Sequence, residues 1–527
     1  MYRILISDKL SPEGVKVFTD EPDFQVDIKT GLKAEELAKV IGEYDALVVR
    51  SDTQVTNGVI AAASRMKVVG RAGVGLDNID IPAATRAGII VMNTPDGNTI
   101  SAAEHTMAML LSLARNIPDA NASLKSGKWE RAKFMGVELY GKTLGIIGLG
   151  RIGTEVAKRA ASFGMNIIAY DPFASEDKAR TLGAKLTDLE TLIRTSDFIT
   201  PHAPKTKETA KLIGEKELSI MKKSVRLVNV ARGGIYDEAA LAKALESGQI
   251  AGAALDVFET EPPLGSPLLS APNIIVTPHL GASTEEAQVN VAIALAKQIV
   301  SALKYNSIAN AVNIPAIGAD EWKEIAPHFA LAEKLGSFAA QISAAHVSSV
   351  RISYAGDVTK MKMNALTLAI LKELLTASYS ESVNLVNAKL LADELGMQVT
   401  ETTSSDASNF TSLIRVSVTK ENETHTLAGT VSALGGPRIT DIDGHRIDIE
   451  PHGNLILFFN RDVPGILAKV SAILGGANIN IAGLTNGRIA PGSDAVTIVG
   501  VDNEISEEVL AKISAIEGLR NVRVIKL

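Results

Sequence analysis

The chain contains no cysteine. Disulfides, thiolate nucleophiles and thiolate metal sites are therefore excluded, and no metal centre is expected. It also lacks any apolar run of the roughly 18 residues needed to span a bilayer. Basic residues do not dominate. The 53 Lys and Arg against 60 Asp and Glu leave a net charge of −7, which argues against a nucleic-acid partner. The opening stretch MYRILISDKL has no charged leader, apolar h-region or cleavage site, so no secretory signal is expected. Together these absences point to a cytoplasmic protein with no membrane partner. An acidic chain that handles an anionic substrate must gather its basic residues locally.

The composition, 46% hydrophobic and 21% charged, is that of an ordinary globular chain. Its 527 residues suggest about three or four domains. The first hundred residues alternate β-rich runs (3–8, 24–30, 46–51, 67–73, 89–94) with helical stretches, which predicts a parallel sheet covered on both faces. A long helix is expected over 99–115, opening at Asn98 or Thr99. A second α/β unit starts at Lys142, with strands over 143–150, 166–171, 197–203, 225–231, 251–258 and 273–278. A helix from Glu285 to Leu303 is expected to return the chain to the first unit. Residues 305–317 read as a polar exit linker. The stretch 318–450 is less legible, with helices near 327–345 and 360–396 between short strands. From Gly453 the order is β-α-β-β-α-β, the split βαβ arrangement.

The sharpest local motif is Gly148-Leu149-Gly150-Arg151-Ile152-Gly153, between an apolar strand and a helical stretch. Its glycines permit a tight turn, close approach of a pyrophosphate and close helix packing, and the helix N-terminus favours the negative charge. Asp171 ends the next strand, where a carboxylate accepts hydrogen bonds from a ribose and disfavours a 2′-phosphate, so NAD is the expected cofactor. Three further motifs each follow a strand: Val230-Ala231-Arg232-Gly233-Gly234, Leu255-Asp256 through Glu259 and Glu261 to Pro263, and Thr277-Pro278-His279-Leu280-Gly281-Ala282. All fall at carboxyl ends of strands, where open parallel sheets bind ligands. An Arg, a Glu and a His in one crevice suit hydride transfer from an alcohol. The imidazole takes the hydroxyl proton, a carboxylate holds its tautomer, and a guanidinium fork binds a substrate carboxylate. Taken singly, each has a plainer reading as a core histidine, a surface ion pair or a solvated loop charge.

The runs GKTLGIIGLGRIG, NVARGGIYDEAAL, ALDVFETEPP and TPHLGAST resemble the D-2-hydroxyacid dehydrogenase family over about residues 1–313. That resemblance implies Arg232 as carboxylate ligand, His279 as acid–base and Glu261 as its partner. It further implies Gly148, Gly150, Arg151, Ile152 and Gly153 at the pyrophosphate, Asp171 at the ribose, Asp256 at the carboxamide, and Val230, Ala231, Leu280, Gly281 and Ala282 lining the NAD site. GRAGVGLDNID, VMNTPDGNTISAAEHT and GKWERAKFMGVEL are similar to its phosphoglycerate-oxidising branch. They imply 3-phosphoglycerate as substrate, met by Arg50, Val74 and Gly75, with Arg131 and Lys133 as further basic candidates. The C-terminal unit resembles an ACT domain, which implies an L-serine effector held by Asn460, Asp462 and Asn480. The basic stretch from Gly435 to Arg446 suggests an anion site.

The implied architecture is α/β: a Rossmann-type cofactor domain (99–282) inserted in a flavodoxin-like substrate domain (1–98, completed by 283–313). An α+β intervening domain (314–450) and a ferredoxin-like ACT domain (453–527) follow. The resemblance also implies a homo-oligomer, a tetramer in this long form. Two other readings stand beside it: a glycerate- or hydroxypyruvate-type dehydrogenase, and an NAD-sensing corepressor-like scaffold without turnover.

Overall fold

The computed structural model describes all residues except 306, 344–346, 377–378, 380–381, 422 and 434. Four sheets follow one another along the chain. The first contains β1 (Tyr2–Ile6), β2 (Phe24–Ile28), β3 (Ala46–Val49), β4 (Val68–Arg71) and β5 (Ile90–Met92), all parallel in the order 2-1-3-4-5. That is the flavodoxin-like order, and its crevice opens where β1 and β3 diverge. The runs that form it are rich in Ile and Val, as strands buried on both faces must be.

The second sheet contains β6 (Thr143–Ile147), β7 (Asn166–Tyr170), β8 (Ala184–Leu186), β9 (Phe198–Pro201), β10 (Arg226–Asn229), β11 (Gly252–Leu255) and β12 (Ile274–Val276). Its order is 12-11-10-9-6-7-8, all parallel. This is the Rossmann arrangement extended by one strand. The chain enters through the helix Thr99–Arg115. It leaves through the helix Glu285–Tyr305, which packs Val291, Leu295 and Ile299 against Ile4, Ile6 and Val68 of the first sheet. Packing there is tight: a Cβ on Gly70 would sit 2.8 Å from Leu295 and Ile299. The two α/β units are thus joined by two crossings, with their strand ends facing each other.

Within the expected exit linker, residues 311–313 are bonded to the first sheet, and residue 306 lies outside the described residues. Ala311 bridges Met92 in antiparallel sense, Val312 N–H donates to Val91 O at 2.9 Å, and the Asn313 side chain bonds Val91, Thr85 and Ile89. The reason is β5, an edge strand whose open backbone groups demand a partner. Asn98 stands at the cap position of Thr99–Arg115, yet its side chain makes no capping bond.

The third sheet contains β13 (Ser349–Gly356), β14 (Gln398–Ser404), β15 (Ser412–Lys420), β16 (Glu423–Val431), β17 (Pro437–Ile442) and β18 (His445–Ile449), in the order 14-13-15-16-17-18. One face is covered by the helices Ala319–Ser343 and Met363–Thr376. The first helix starts well before the expected 327, because Pro327 lies inside it rather than at its start. The expected long helix over 360–396 is instead Met363–Thr376 and Ala388–Glu394, and residues 377–378 and 380–381 of that stretch lie outside the described residues.

The last sheet, β19 (Asn454–Arg461), β20 (Ile481–Arg488), β21 (Asp494–Val501) and β22 (Leu519–Lys526), is antiparallel in the order 20-21-19-22. Its two helices, Ile466–Gly476 and Glu507–Ser514, cover one face. The opposite face, with Leu455, Leu457, Val496, Ile498 and Ile525, belongs to the same apolar core as the helix Ala319–Ser343 and the third sheet. Gln341 adds a polar clamp: its amide donates to Lys526 O at 2.8 Å and accepts from Lys526 N at 2.9 Å. The last two units therefore share one core. Leu457 is 1% exposed within it, so Leu457→Ala should destabilise this half by about 2–5 kcal/mol. Thermal unfolding should show one lowered transition for the third and fourth units together. Two separate transitions, with only the last one lowered, would contradict a shared core.

Candidate active site

The three glycines after β6 stand there for three different reasons. Gly148 has φ +96°, and a Cβ on it would lie 2.7 Å from His202 O. A Cβ on Gly153 would overlap Gly148 O, so only glycine lets the helix Arg151–Ser162 start so close to the strand. Gly150, in contrast, faces open space: nothing among the described residues lies within 4 Å of where its Cβ would be. The helix N-terminus behind it has no side-chain cap. An open cradle of unpaired N–H groups fits a pyrophosphate. Asp171 backs the loop, accepting from Leu149 N at 2.7 Å, Phe173 N at 2.8 Å and Ala174 N at 3.2 Å. Arg151 pairs with Asp96, while Ile152 packs inward.

The turn after β10 carries Arg232. Asn229, 2% exposed, straps it by accepting from Ala231 N and donating to Arg232 O, both at 2.9 Å. Val230 and Ala231 are buried. A Cβ on Gly233 would overlap Phe258 O, so the Arg232 turn and the segment after β11 are in direct backbone contact.

That segment also carries a buried, multiply bonded carboxylate. Asp256 is 0% exposed. It accepts from Thr277 Oγ1 at 2.6 Å, Leu280 N at 2.7 Å and Gly281 N at 2.8 Å, with His105 Nε2 at 3.3 Å. Burial alone would raise its pKa, but His105, Thr277 and the loop amides outweigh burial and hold it below the usual carboxylate range. The loop so gripped includes His279, whose own N–H donates to Asp256 O at 2.9 Å and whose φ is +55°.

His279 Nδ1 lies 2.7 Å from Glu261 Oε2, and Glu261 Oε1 accepts from Phe258 N at 3.1 Å. Burial pushes the Glu261 carboxyl up, but the hydrogen bond and charge of His279 and the Phe258 N–H hold it below its ordinary value. An ionised carboxylate cannot donate, so Nδ1 carries a proton, and in the neutral ring Nε2 is then the nitrogen with the free lone pair. Glu259 is not part of this pair; it lies against Glu238 at the start of a helix.

The first unit supplies the opposite wall. Arg50 follows β3, and its backbone N–H donates to Asp8 at 2.5 Å. Arg71 ends β4 with its side chain 14% exposed. The Nε atoms of both are buried without a hydrogen-bond partner among the described residues. Burial lowers the Arg71 pKa, and the nearby charges of Arg232 and Arg50 lower it further, against Asp77 and Asp8. Arg71 and Arg232 thus meet at Asp77 on the loop after β4, with Arg50 close enough for its charge to act on Arg71. Gly75 lies under Arg232, where a Cβ would overlap Nη2, and Val74 O accepts from Asn93 Nδ2 at 2.6 Å. Asn78 ties the loop down by donating to Arg50 O at 2.8 Å and Thr53 O at 2.7 Å.

Arg71, Asn229, Asn78 and His105 were not singled out from the sequence. All four lie inside motifs noted there, but a strand-end arginine such as Arg71 reads as a surface charge until its neighbours are known. Arg131 and Lys133 lie on a separate exposed segment, where Lys133 faces Glu130.

The residues expected to hold an effector do not converge within one chain. Asn460 is buried and satisfied, accepting from Thr497 Oγ1 and donating to Arg461 O, both at 2.9 Å. Asp462 pairs with Arg488 at 2.6 Å. Asn480 donates to Asp502 at 2.7 Å. Asn460 pairs with Ala495 and Ile481 with Val501, so Asn480 sits at the opposite end of the sheet from Asp462. The stretch from Gly436 to Arg446 lines part of a cavity of about 1010 Å³ with Arg415, and its Arg438 pairs with Asp448 at 2.8 Å. Among the described residues there is no cluster of side chains able to hold a metal ion, and no helix is long and apolar enough to cross a membrane.

Known proteins match this arrangement along the whole chain. Residues 107–281 match the D-isomer specific 2-hydroxyacid dehydrogenase NAD binding domain, 324–443 the D-3-phosphoglycerate dehydrogenase intervening domain, and 454–518 the ACT domain. The chain is 43% identical to D-3-phosphoglycerate dehydrogenase of Synechocystis sp., covering 100% of this chain and 95% of that one. It is 42% identical to the Bacillus subtilis enzyme of the same name, over 100% of both chains. Among solved structures, D-lactate dehydrogenase from Aquifex aeolicus, complexed with NAD and lactic acid, is 29% identical with a TM-score of 0.54. It covers 60% of this chain and 100% of its own. By this full-length likeness the chain belongs to the D-3-phosphoglycerate dehydrogenase family, within the D-isomer specific 2-hydroxyacid dehydrogenases.

Proposed function

We propose that the protein oxidises 3-phospho-D-glycerate at C2 to 3-phosphohydroxypyruvate, the step that opens L-serine synthesis. The observation that carries this reading is the joint presence, at facing strand ends, of a His–Glu pair and a cluster of three arginines. One prepares a base and the other receives a polyanion. NAD, when bound along the glycine loop, supplies the hydride acceptor.

The substrate carboxylate meets Arg232, and the phosphate meets Arg50 and Arg71. His279 Nε2 accepts the C2 hydroxyl proton, and Glu261 stabilises the imidazolium that results. Asp256 acts by positioning: it fixes the backbone of 279–281 against which the nicotinamide end would lie. Residues 1–98 with 283–313 form the substrate domain, 99–282 the NAD domain, and 314–450 and 453–527 the regulatory pair. Closure of the first two around the substrate excludes water.

The reading extends to assembly and regulation. The ACT domain suggests an amino-acid effector, which we assign as L-serine. Because Asp462 and Asn480 lie at opposite sheet ends, they could contribute to one site only across two chains. Ile117, Leu124, Trp129, Met135 and Tyr140 are exposed around one arm of the NAD domain, which suits a homo-oligomeric contact. The family's long form is accordingly expected as a cytoplasmic tetramer.

Replacing His279 by Ala should lower kcat by roughly two to four decades and leave NAD affinity intact. Steady-state rates with calorimetric NAD binding check this, and near-normal turnover would remove His279 from the base role. Asp171→Ala should weaken NAD and narrow the preference for NAD over NADP. An unchanged cofactor ratio would mean that Asp171 serves the loop alone.

A further inference from the structure

The arginine cluster carries its own counter-ion. Asp77 Oδ2 lies 3.5 Å from Arg232 Nε and 4.0 Å from Arg71 Nη1. The neighbouring acid, Asp8, is already engaged by Arg50 N, Thr53 N and Thr53 Oγ1, so its carboxylate is committed to backbone and hydroxyl donors. Among the described residues Asp77 has no such commitment, and its side chain is 72% exposed. It also sits on a loop whose base is fixed, since Asn78 is 7% exposed and tethered to Arg50 O and Thr53 O. The Asp77 side chain can therefore swing away while the loop stays in place.

We infer that Asp77 is an internal competitor for the anion site, a residue that sets how tightly the enzyme holds its substrate and product according to their charge. This rests on the function proposed above. A substrate carboxylate that takes Arg232 must displace Asp77, and the displaced carboxylate remains close enough to repel what has bound. Both effects weaken binding. The repulsion grows with the charge of the ligand, so it acts most on 3-phosphoglycerate and its oxidised product, less on inorganic phosphate, and least on unphosphorylated D-glycerate. Without Asp77, three guanidiniums would face a polyanionic product with only the committed Asp8 carboxylate nearby. The ordinary alternative, that Asp77 orients the Arg232 fork, makes the opposite prediction for affinity.

The test compares wild type, Asp77→Asn, Asp77→Ser and Asp77→Glu as full-length proteins at fixed ionic strength. The measurements are KM for 3-phosphoglycerate and for D-glycerate, and the dissociation constant of inorganic phosphate by calorimetry. NAD affinity and melting temperature report on folding. Asp77→Asn and Asp77→Ser should lower KM for 3-phosphoglycerate about five-fold or more, the scale of one charge pair near 4 Å in a water-like medium. They should tighten phosphate less, and D-glycerate least, without raising kcat. Asp77→Glu should stay near wild type. A raised or unchanged KM for 3-phosphoglycerate, with phosphate affinity also unchanged, overturns the inference. If the wild type turns over no 3-phosphoglycerate, the functional reading fails by itself, and phosphate affinity still decides whether Asp77 competes for the site.

Discussion

The buried carboxylate of Asp256 fixes the geometry on which the site depends. A fully desolvated carboxylate is costly unless its acceptor capacity is filled. Here the donors that fill it are Thr277, Leu280 and Gly281, with His105 alongside. Satisfying one buried charge thus pins the loop that carries the base. His279 then has little freedom left, because its backbone N–H is also tied to Asp256 O. Its remaining degree of freedom, the ring, is set by Glu261. Position comes from Asp256 and tautomer from Glu261.

The facing wall works by the reverse principle. Arg50, Arg71 and Arg232 are drawn together by three different strands, and two of their Nε atoms have no partner among the described residues. Like charges held in partial burial cost stability, and such strain persists where a ligand relieves it. A scaffold of two parallel sheets achieves this because both switch-point crevices open toward each other. The second half of the chain is built otherwise. Its two units share one apolar core and a Gln341 clamp.

Much of this was legible in the residues themselves. The glycine motif announced its own geometry, since each of Gly148, Gly150 and Gly153 meets a constraint that a Cβ would violate or fill. The parallel sheets followed from Ile- and Val-rich runs alternating with amphipathic stretches. Other features depended on contacts that no local pattern encodes. Ala184–Leu186 is too short to show an alternation. Residues 311–313 read as linker until the open edge of β5 is known. Pro327 lies within a helix where the usual expectation places it at a start. Arg71 became part of the site only once β4 was set beside β3, and Asp462 and Asn480 were parted only by the pairing of β20 with β21.

The most direct measurement is steady-state NAD reduction by the purified protein with 3-phospho-D-glycerate, D-glycerate and D-lactate as alternative substrates. If Arg50 and Arg71 receive the phosphate while Arg232 holds the carboxylate, kcat/KM for 3-phospho-D-glycerate should exceed that for D-glycerate by about a hundred-fold or more, two charge-assisted contacts' worth. Equal rates with all three acids, or tight NAD binding with no turnover of any, would contradict this account.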